Sequence, residues 1–237
     1  MYDVAFISYN EPTAISNYIK LLTSFPYNRI IKIDGVKGIH QAHIEAAKRA
    51  STSMFYVVDA DADLVPEFKF DIRLSPEEED IVHVWTSRNP VNQLEYGYGG
   101  VKLLPRQLTL DMDTSKPDMT TSISSRFKPM KEVSNITKFN TDPLSTWRSS
   151  FRECAKLASR IIDGQIDIET EDRLRTWQYN QSSELFAEYS RGGASAGAWY
   201  GSTYKNDPEF LSKINDWSWL EFQFKEHVKM FPPETFK

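Results

Sequence analysis

A chain of 237 residues, 40% hydrophobic and 13% aromatic, is long enough to bury a sizeable core and contains no apolar run near the about 18 residues of a membrane span. Its single cysteine, Cys154, excludes an intramolecular disulfide and a cysteine-based zinc site, and four scattered histidines make no zinc motif. The net charge of −5 argues against a bulk affinity for nucleic acid, yet residues 126–160 hold eight basic against three acidic side chains, +5 against −10 for the rest. No repeat, low-complexity segment or Gly/Ser linker interrupts the chain, so one domain over residues 1–237 is expected. The N-terminus enters a strand without a basic and apolar leader, and the expected location is a reducing cytoplasm.

In chain order, Val4-Ala5-Phe6-Ile7 reads as a first strand running into the loop Ser8-Tyr9-Asn10-Glu11-Pro12. A helix follows, with Thr13 or Ser16 as its cap and Ile15, Ile19 and Leu22 on one face. A second strand, Arg29-Ile30-Ile31-Lys32-Ile33, stops at the turn dipeptide Asp34-Gly35, which completes a right-handed βαβ unit. After Gly38 an amphipathic helix presents Ile39, Ala42, His43, Ala46, Ala47 and Ala50 on one face, small enough to lie close against a sheet. His43 on that face reads as a packed structural histidine rather than a ligand.

The apolar run Met54-Phe55-Tyr56-Val57-Val58 then reads as a central strand buried on both faces. It ends in three alternating carboxylates, Asp59, Asp61 and Asp63, at the carboxyl end of a strand, where open α/β sheets bind ligands. Three such carboxylates repel one another unless a cation sits among them, and oxygen-only ligands suit Mg²⁺ or Mn²⁺. A solvated acidic loop accounts for the same tripeptide.

Further on, residues 80–90 form another strand, followed by Tyr96-Gly97-Tyr98-Gly99-Gly100-Val101-Lys102-Leu103-Leu104-Pro105. Glycines interleaved with tyrosines suit a flat ligand or sugar lying over the loop, with Tyr98, Gly99 and Gly100 as its contacts; a β-hairpin turn explains them as well. Residues 110–139 are polar and weakly periodic and are expected to be irregular, either a lid over a bound ligand or an ordinary surface excursion. A helix opens after Thr141-Asp142-Pro143, with Trp147, Phe151, Cys154, Ala158 and Ile161 facing the core. Its other face carries Arg148, Arg152, Lys156 and Arg160 every fourth residue, a stripe about 20 Å long that can meet several phosphates or remain a solvated face. Glu153 lies among these arginines and pairs with them or joins Asp142 as a catalytic acid. Residues 192–198 are expected to separate two further helices, and Trp217, Trp219, Phe222 and Phe224 to be core.

The Asp-Ala-Asp sequence, with the order of elements before it, resembles the first half of the nucleotide-sugar glycosyltransferases of the GT-A type. The Asn-Pro…Tyr-Gly-Tyr-Gly-Gly-Val-Lys-Leu-Leu-Pro pattern is similar to that of small phage-encoded glycosyltransferases that modify hydroxymethylated cytosine in viral DNA. The resemblance covers most of the chain and is strongest over residues 33–105 and 142–157. It implies an α/β, GT-A-like fold: a Rossmann-like mixed sheet flanked by helices, a nucleotide-sugar half at 1–105 and an acceptor-binding, helical half at 106–237. It implies that Tyr9, Asn10, Glu11 and Asp34 hold the base and ribose of a UDP-sugar and that Lys37 reaches its diphosphate. Asp59, Ala60 and Asp61 then approach the donor, and Asp59, Asp61 and a late His227 hold Mn²⁺ or Mg²⁺. Asp142 stands where an acid could deprotonate the acceptor, or simply caps its helix. Arg148, Arg152 and Lys156 are implied to meet a DNA acceptor carrying 5-hydroxymethylcytosine or a sugar on it, the sugar moved being a pentose such as arabinose, or a hexose. A polysaccharide or protein acceptor, and a catalytically silent nucleotide-sugar-binding protein, are the competing expectations.

Overall fold

The computed structural model describes every residue except Tyr98, Pro117, Asp163, Gly164 and 233–237. The chain forms a mixed α/β unit and a helical one. The first comprises Met1–Asn89, Glu95–Ser115 and Met119–Lys138; the second comprises Pro90–Leu94, Lys116–Asp118 and Phe139–Lys237.

The first unit runs β1 (Asp3–Ser8), α1 (Ala14–Ser24), β2 (Ile30–Asp34), α2 (Ile39–Arg49), β3 (Met54–Asp59), β4 (Ala62–Leu64), β5 (Val82–Arg88), β6 (Glu95–Tyr96), β7 (Val101–Pro105), α3 (Arg106–Leu110), α4 (Met119–Ile123) and β8 (Phe127–Thr137). The sheet order is β2-β1-β3-β7-β5-β8-β4, with β6 beside β5. Strands β2, β1 and β3 are parallel, β7 runs antiparallel between β3 and β5, and β8 is parallel to β5. The carboxyl ends of β1, β2, β3, β5 and β8 therefore share one edge of the sheet, which fixes where loop residues of different strands can meet.

Alternation along the strands divides the core in two. Val4, Phe6, Tyr56, Val58 and Leu103 pack against Leu21 of α1 and against Phe68 and Phe70. Their neighbours Ala5, Phe55, Val57 and Leu104 pack against Ala46 and Ala47 of α2. Helix α2 buries the alanine face its periodicity indicates, including His43. Helix α1 buries a different face from the expected one: Ile15, Ile19 and Leu22 are exposed, while Ala14, Tyr18, Leu21 and Phe25 turn inward. Both stripes have helical period. Aromatic packing selects between them, Tyr18 lying against Phe6 and Phe25 against Phe70.

Residues 110–139, expected to be irregular, contain α4 and the 11-residue strand β8 instead. The pairing of β8 with β5 shifts register twice, between Trp85 and Thr86 and between Thr86 and Ser87, so the strand loses the two-residue alternation that would announce it.

The second unit contains α5 (Pro143–Ser159), α6 (Asp167–Tyr179), α7 (Ala187–Tyr204), α8 (Pro208–Ser212) and α9 (Trp217–Met230). Residues 192–198 do not separate helices; they lie inside α7. A Cβ on Gly193, Gly197 or Gly201 would lie 2.2, 2.1 or 2.2 Å from the carbonyl oxygens of Trp147, Phe151 and Ala155 respectively. Both sets recur every fourth residue, so the two helices touch backbone to backbone along one line. Around this contact Trp147 stacks on Phe151 at 4.8 Å, and the buried Ser150 and Ser190 hydroxyls bond at 2.9 Å.

Gly197→Ala tests that contact, because helix propensity alone would stabilise the variant by about 1 kcal/mol. The clash reverses the sign: a loss of about 3 kcal/mol is expected in urea unfolding, with a smaller effect from Ser195→Ala on an exposed position of the same helix.

Candidate functional site

The ends of β1, β2 and β3 and the segments that follow them carry five acidic side chains, and four of these accept a hydrogen bond from another residue. Asp34 accepts a 2.5 Å hydrogen bond from Ser8 Oγ, which with Lys32 holds its carboxyl below the usual range against a small opposing effect of burial. Glu11 accepts the Tyr9 backbone N–H at 2.7 Å, closing a loop in which Asn10 has φ +129°. Asp63 is held by Lys20 Nζ at 2.5 Å. Asp59 is held by Lys102 Nζ at 2.9 Å; the lysine side chain is 6% exposed and the aspartate 34%.

Lys102 reaches Asp59 because of the strand register. It pairs with Val57 across the antiparallel β3–β7 ladder, so it points to the same face as Asp59 two residues on. His43 faces this ion pair from α2. Burial, and then the Lys102 charge, lower its pKa to about 4, so the imidazole is neutral and adds no second cation. Its Nδ1 bonds the Ile39 carbonyl at 2.8 Å, and its Nε2 has no protein partner. His43 is thus the packed histidine its helix face indicates.

Asp61 is the exception. Its backbone carbonyl accepts from Lys138 N–H at 2.6 Å, but no side chain among the described residues donates to its carboxylate. Burial first, and then the charges of Asp59 and Glu11, raise its pKa to about 7, against a weaker favourable effect of Lys102. The loop itself is firmly placed: the Asp59 N–H donates to the Gly100 carbonyl, Ala60 N–H to Ile7, and the Ala60 carbonyl accepts from Asn17 Nδ2 at 2.8 Å. Among the described residues no three His, Cys, Asp or Glu side chains are gathered into a ready cation cage. Asp61 fits a cation ligand, whereas Asp59 already has a cationic partner.

Other candidates fall into place around this edge or elsewhere. Lys37 is exposed, next to Gly38, which begins α2 with φ +93°. Gly99 has φ +85°, and a Cβ on Gly100 would lie 2.7 Å from Asn135 Oδ1, so close packing within the sheet accounts for Gly100. Asn135 belongs to a buried polar set with Ser87, Ser134 and Thr137. Tyr98 lies outside the described residues. Lys102, Asn17 and Asn135 escape sequence reasoning; the one signal was a lysine inside the otherwise apolar Val101–Pro105 strand.

In the helical unit, Asp142 caps α5. It accepts Ser145 N–H at 2.8 Å and the Thr141 hydroxyl at 3.3 Å, and these bonds overcome burial to leave its pKa lowered. Both oxygens are engaged and the proton affinity is reduced, the opposite of what a general base needs. Glu153 is half-buried on α5, beside the buried Cys154 thiol whose pKa burial and then this carboxylate push up. The ring of His227 packs on Trp147 at 5.6 Å and Phe231 at 5.3 Å, and burial lowers its pKa.

The basic stripe of α5 is not a row of free cations. Arg148 stacks 3.6 Å from the Trp217 ring centre, Arg152 donates to Asn215 at 2.9 Å, and Lys156 pairs with the buried Asp118 at 2.9 Å. Arg160 pairs with Asp167 and Glu171. Earlier in the basic segment, Arg126 pairs with Asp80 and Lys128 with Glu78.

No protein-family model and no curated protein matches this chain.

Two measurements check the electrostatics of the edge. Lys102→Met and Asp59→Asn are each expected to cost about 2 kcal/mol in urea unfolding, and the double variant less than their sum by about 1 kcal/mol or more. For Asp61 the folded pKa lies above the unfolded one. The native state therefore binds more protons between about pH 4 and pH 7, and stability falls as pH rises through that window. Asp61→Asn removes the penalty, so its advantage over the parent should grow from near zero at about pH 4 to about 2 kcal/mol at about pH 8, after discounting for solvent screening.

Proposed function

We propose that the chain is a nucleotide-sugar-dependent glycosyltransferase of the GT-A type, using a UDP-sugar with Mn²⁺ or Mg²⁺. The observation that carries this reading is Asp61: one carboxylate with no side-chain donor among the described residues, beside two other carboxylates whose charges outweigh the favourable effect of Lys102, at the carboxyl edge of a parallel βαβ segment. Such a group lowers its energy by taking up a proton or a cation.

Asp61 would hold the divalent ion, joined by Asp59 where that carboxylate exchanges its Lys102 partner for the ion, and the ion when bound would supply neutralising charge for the departing diphosphate. The remaining roles belong to the chain's own groups. The ionised Asp34, kept acidic by Ser8, is suited to accept an imide N–H of uracil. Tyr9 supplies a ring for stacking on the base. The amino end of α2 and Lys37 offer backbone N–H groups and a cation to the phosphates. Asp142 is the helix cap in this reading, so the proton of the acceptor hydroxyl goes to another carboxylate or to the substrate itself.

Resemblance supplies the acceptor, 5-hydroxymethylcytosine in DNA or a sugar already on it, whose C5 substituent projects into the major groove. A polysaccharide or protein acceptor is the second reading. It is favoured by the pairing of Arg126, Lys128, Lys156 and Arg160 with carboxylates of the chain, which reduces the charge left to meet phosphates.

Calorimetry with UDP-sugars in the presence of Mn²⁺ tests the donor. Saturable binding is expected, weakened at least about tenfold in Asp61→Asn. Absence of any UDP-sugar binding would refute the enzyme reading. Mass analysis of nucleosides after incubation with donor and hydroxymethylated DNA tests the acceptor: an added sugar mass supports DNA, and donor hydrolysis without it moves the assignment to a glycan or protein.

A further inference from the structure

The helical unit carries a groove of about 540 Å³ between α6 and α7, lined also by Arg160 and Glu171. Leu174, Arg175, Gln178 and Tyr179 line it from α6, and Ser195, Ala198, Trp199 and Ser202 from α7. On each helix these positions fall on a single face, at the spacing i, i+3 or i+4. Two large aromatic side chains there remain in water: Tyr179 is 69% exposed and Trp199 64%. Exposed aromatic surface of this size, sharing one concavity, is a feature of binding sites rather than of solvated helix faces.

The polar groups of the groove narrow the ligand. Arg160 is already bonded to Asp167 at 3.1 Å and to Glu171 at 2.6 Å, so its charge is spent within the chain. Arg175 has no acidic partner among the described residues, and the hydroxyls of Ser195 and Ser202 make no hydrogen bond there. Glu169 and Asp172 are exposed on the same helix α6, so an approaching polyanion meets more carboxylates than free cations. A fatty or purely apolar ligand would strip water from Arg175 and the two hydroxyls without replacing its hydrogen bonds, whereas the Gln178 amide already donates to the Leu174 carbonyl at 3.2 Å.

We infer that this groove binds a neutral oligosaccharide, whose C–H faces stack on Trp199 and Tyr179 while its hydroxyls bond to Arg175, Gln178, Ser195 and Ser202. The site uses none of the residues assigned to the UDP-sugar, and the two assignments stand or fall separately.

The full chain is titrated with maltoheptaose, cellohexaose and laminarihexaose, without nucleotide or divalent ion, following tryptophan fluorescence and heat. Saturable binding of at least one sugar is expected. Trp199→Ala and Tyr179→Ala, both at exposed positions that do not threaten folding, should each weaken it at least about tenfold, and Trp217→Ala should leave it unchanged. No binding of the three sugars overturns the inference, as does binding that survives both substitutions. Binding of oligo-dT that falls with salt and depends on Trp199 would overturn it in favour of a single-stranded nucleic acid.

Discussion

Like charges at the end of a buried strand raise one another's energy, and the first unit is arranged so that nearly every such charge is offset. Lys102 is the central piece. A lysine in the middle of an apolar strand needs a counter-charge, and Asp59 beside Asp61 needs one equally, so each makes the other tolerable. Their meeting depends on topology. Only because β7 enters antiparallel between β3 and β5 does its second residue reach the carboxyl end of β3. The neutral His43 packs against the same pair without upsetting its balance. What this arrangement leaves over is Asp61, and the functional reading rests on that residue.

The helical unit is governed by a different constraint, the distance of closest approach. Gly193, Gly197 and Gly201 place the backbone of α7 on the carbonyl oxygens of α5, so no side chain fits along that line. Trp147, Phe151 and Tyr200 then fill the space beside it with Ile214 and Leu220. Glycine is a poor helix former, yet here its small size permits a contact that alanine would prevent. The helix thus trades local propensity for packing, a conflict invisible to any reading of residues 192–198 by propensity alone.

Where a single physical signal dominated, the fold was legible in the sequence. The runs Val4–Ile7 and Met54–Val58 are apolar throughout because both faces of those strands are covered, and the alanines of α2 mark a close helix–sheet contact. Signals that compete were not legible. Helix α1 has two apolar stripes, and only the positions of Phe6 and Phe70 in space tell which is inside. The bulged pairing of β8 erased its alternation. Of the candidate site, the carboxylates at the strand ends could be read directly. Lys102 could not, since its partner lies 43 residues away and the register linking them is a property of the sheet.

Charge shows the same limit most clearly. Counted along the chain, residues 126–160 form a block of +5, which invites a polyanion. In three dimensions Arg126 and Lys128 meet carboxylates contributed by residues 78 and 80, Lys156 meets Asp118, and Arg160 meets α6. A segment's net charge therefore measures what its cations need from elsewhere in the chain as much as what they offer to a partner. Phosphate affinity scales with cations that release counterions on binding, and a lysine already paired with a buried aspartate contributes little to that release. Arg148 rests on a ring face and lies close enough to Asp142 for its charge to lower that carboxyl's pKa, and Arg152 donates to an amide, so these two side chains are also engaged within the chain.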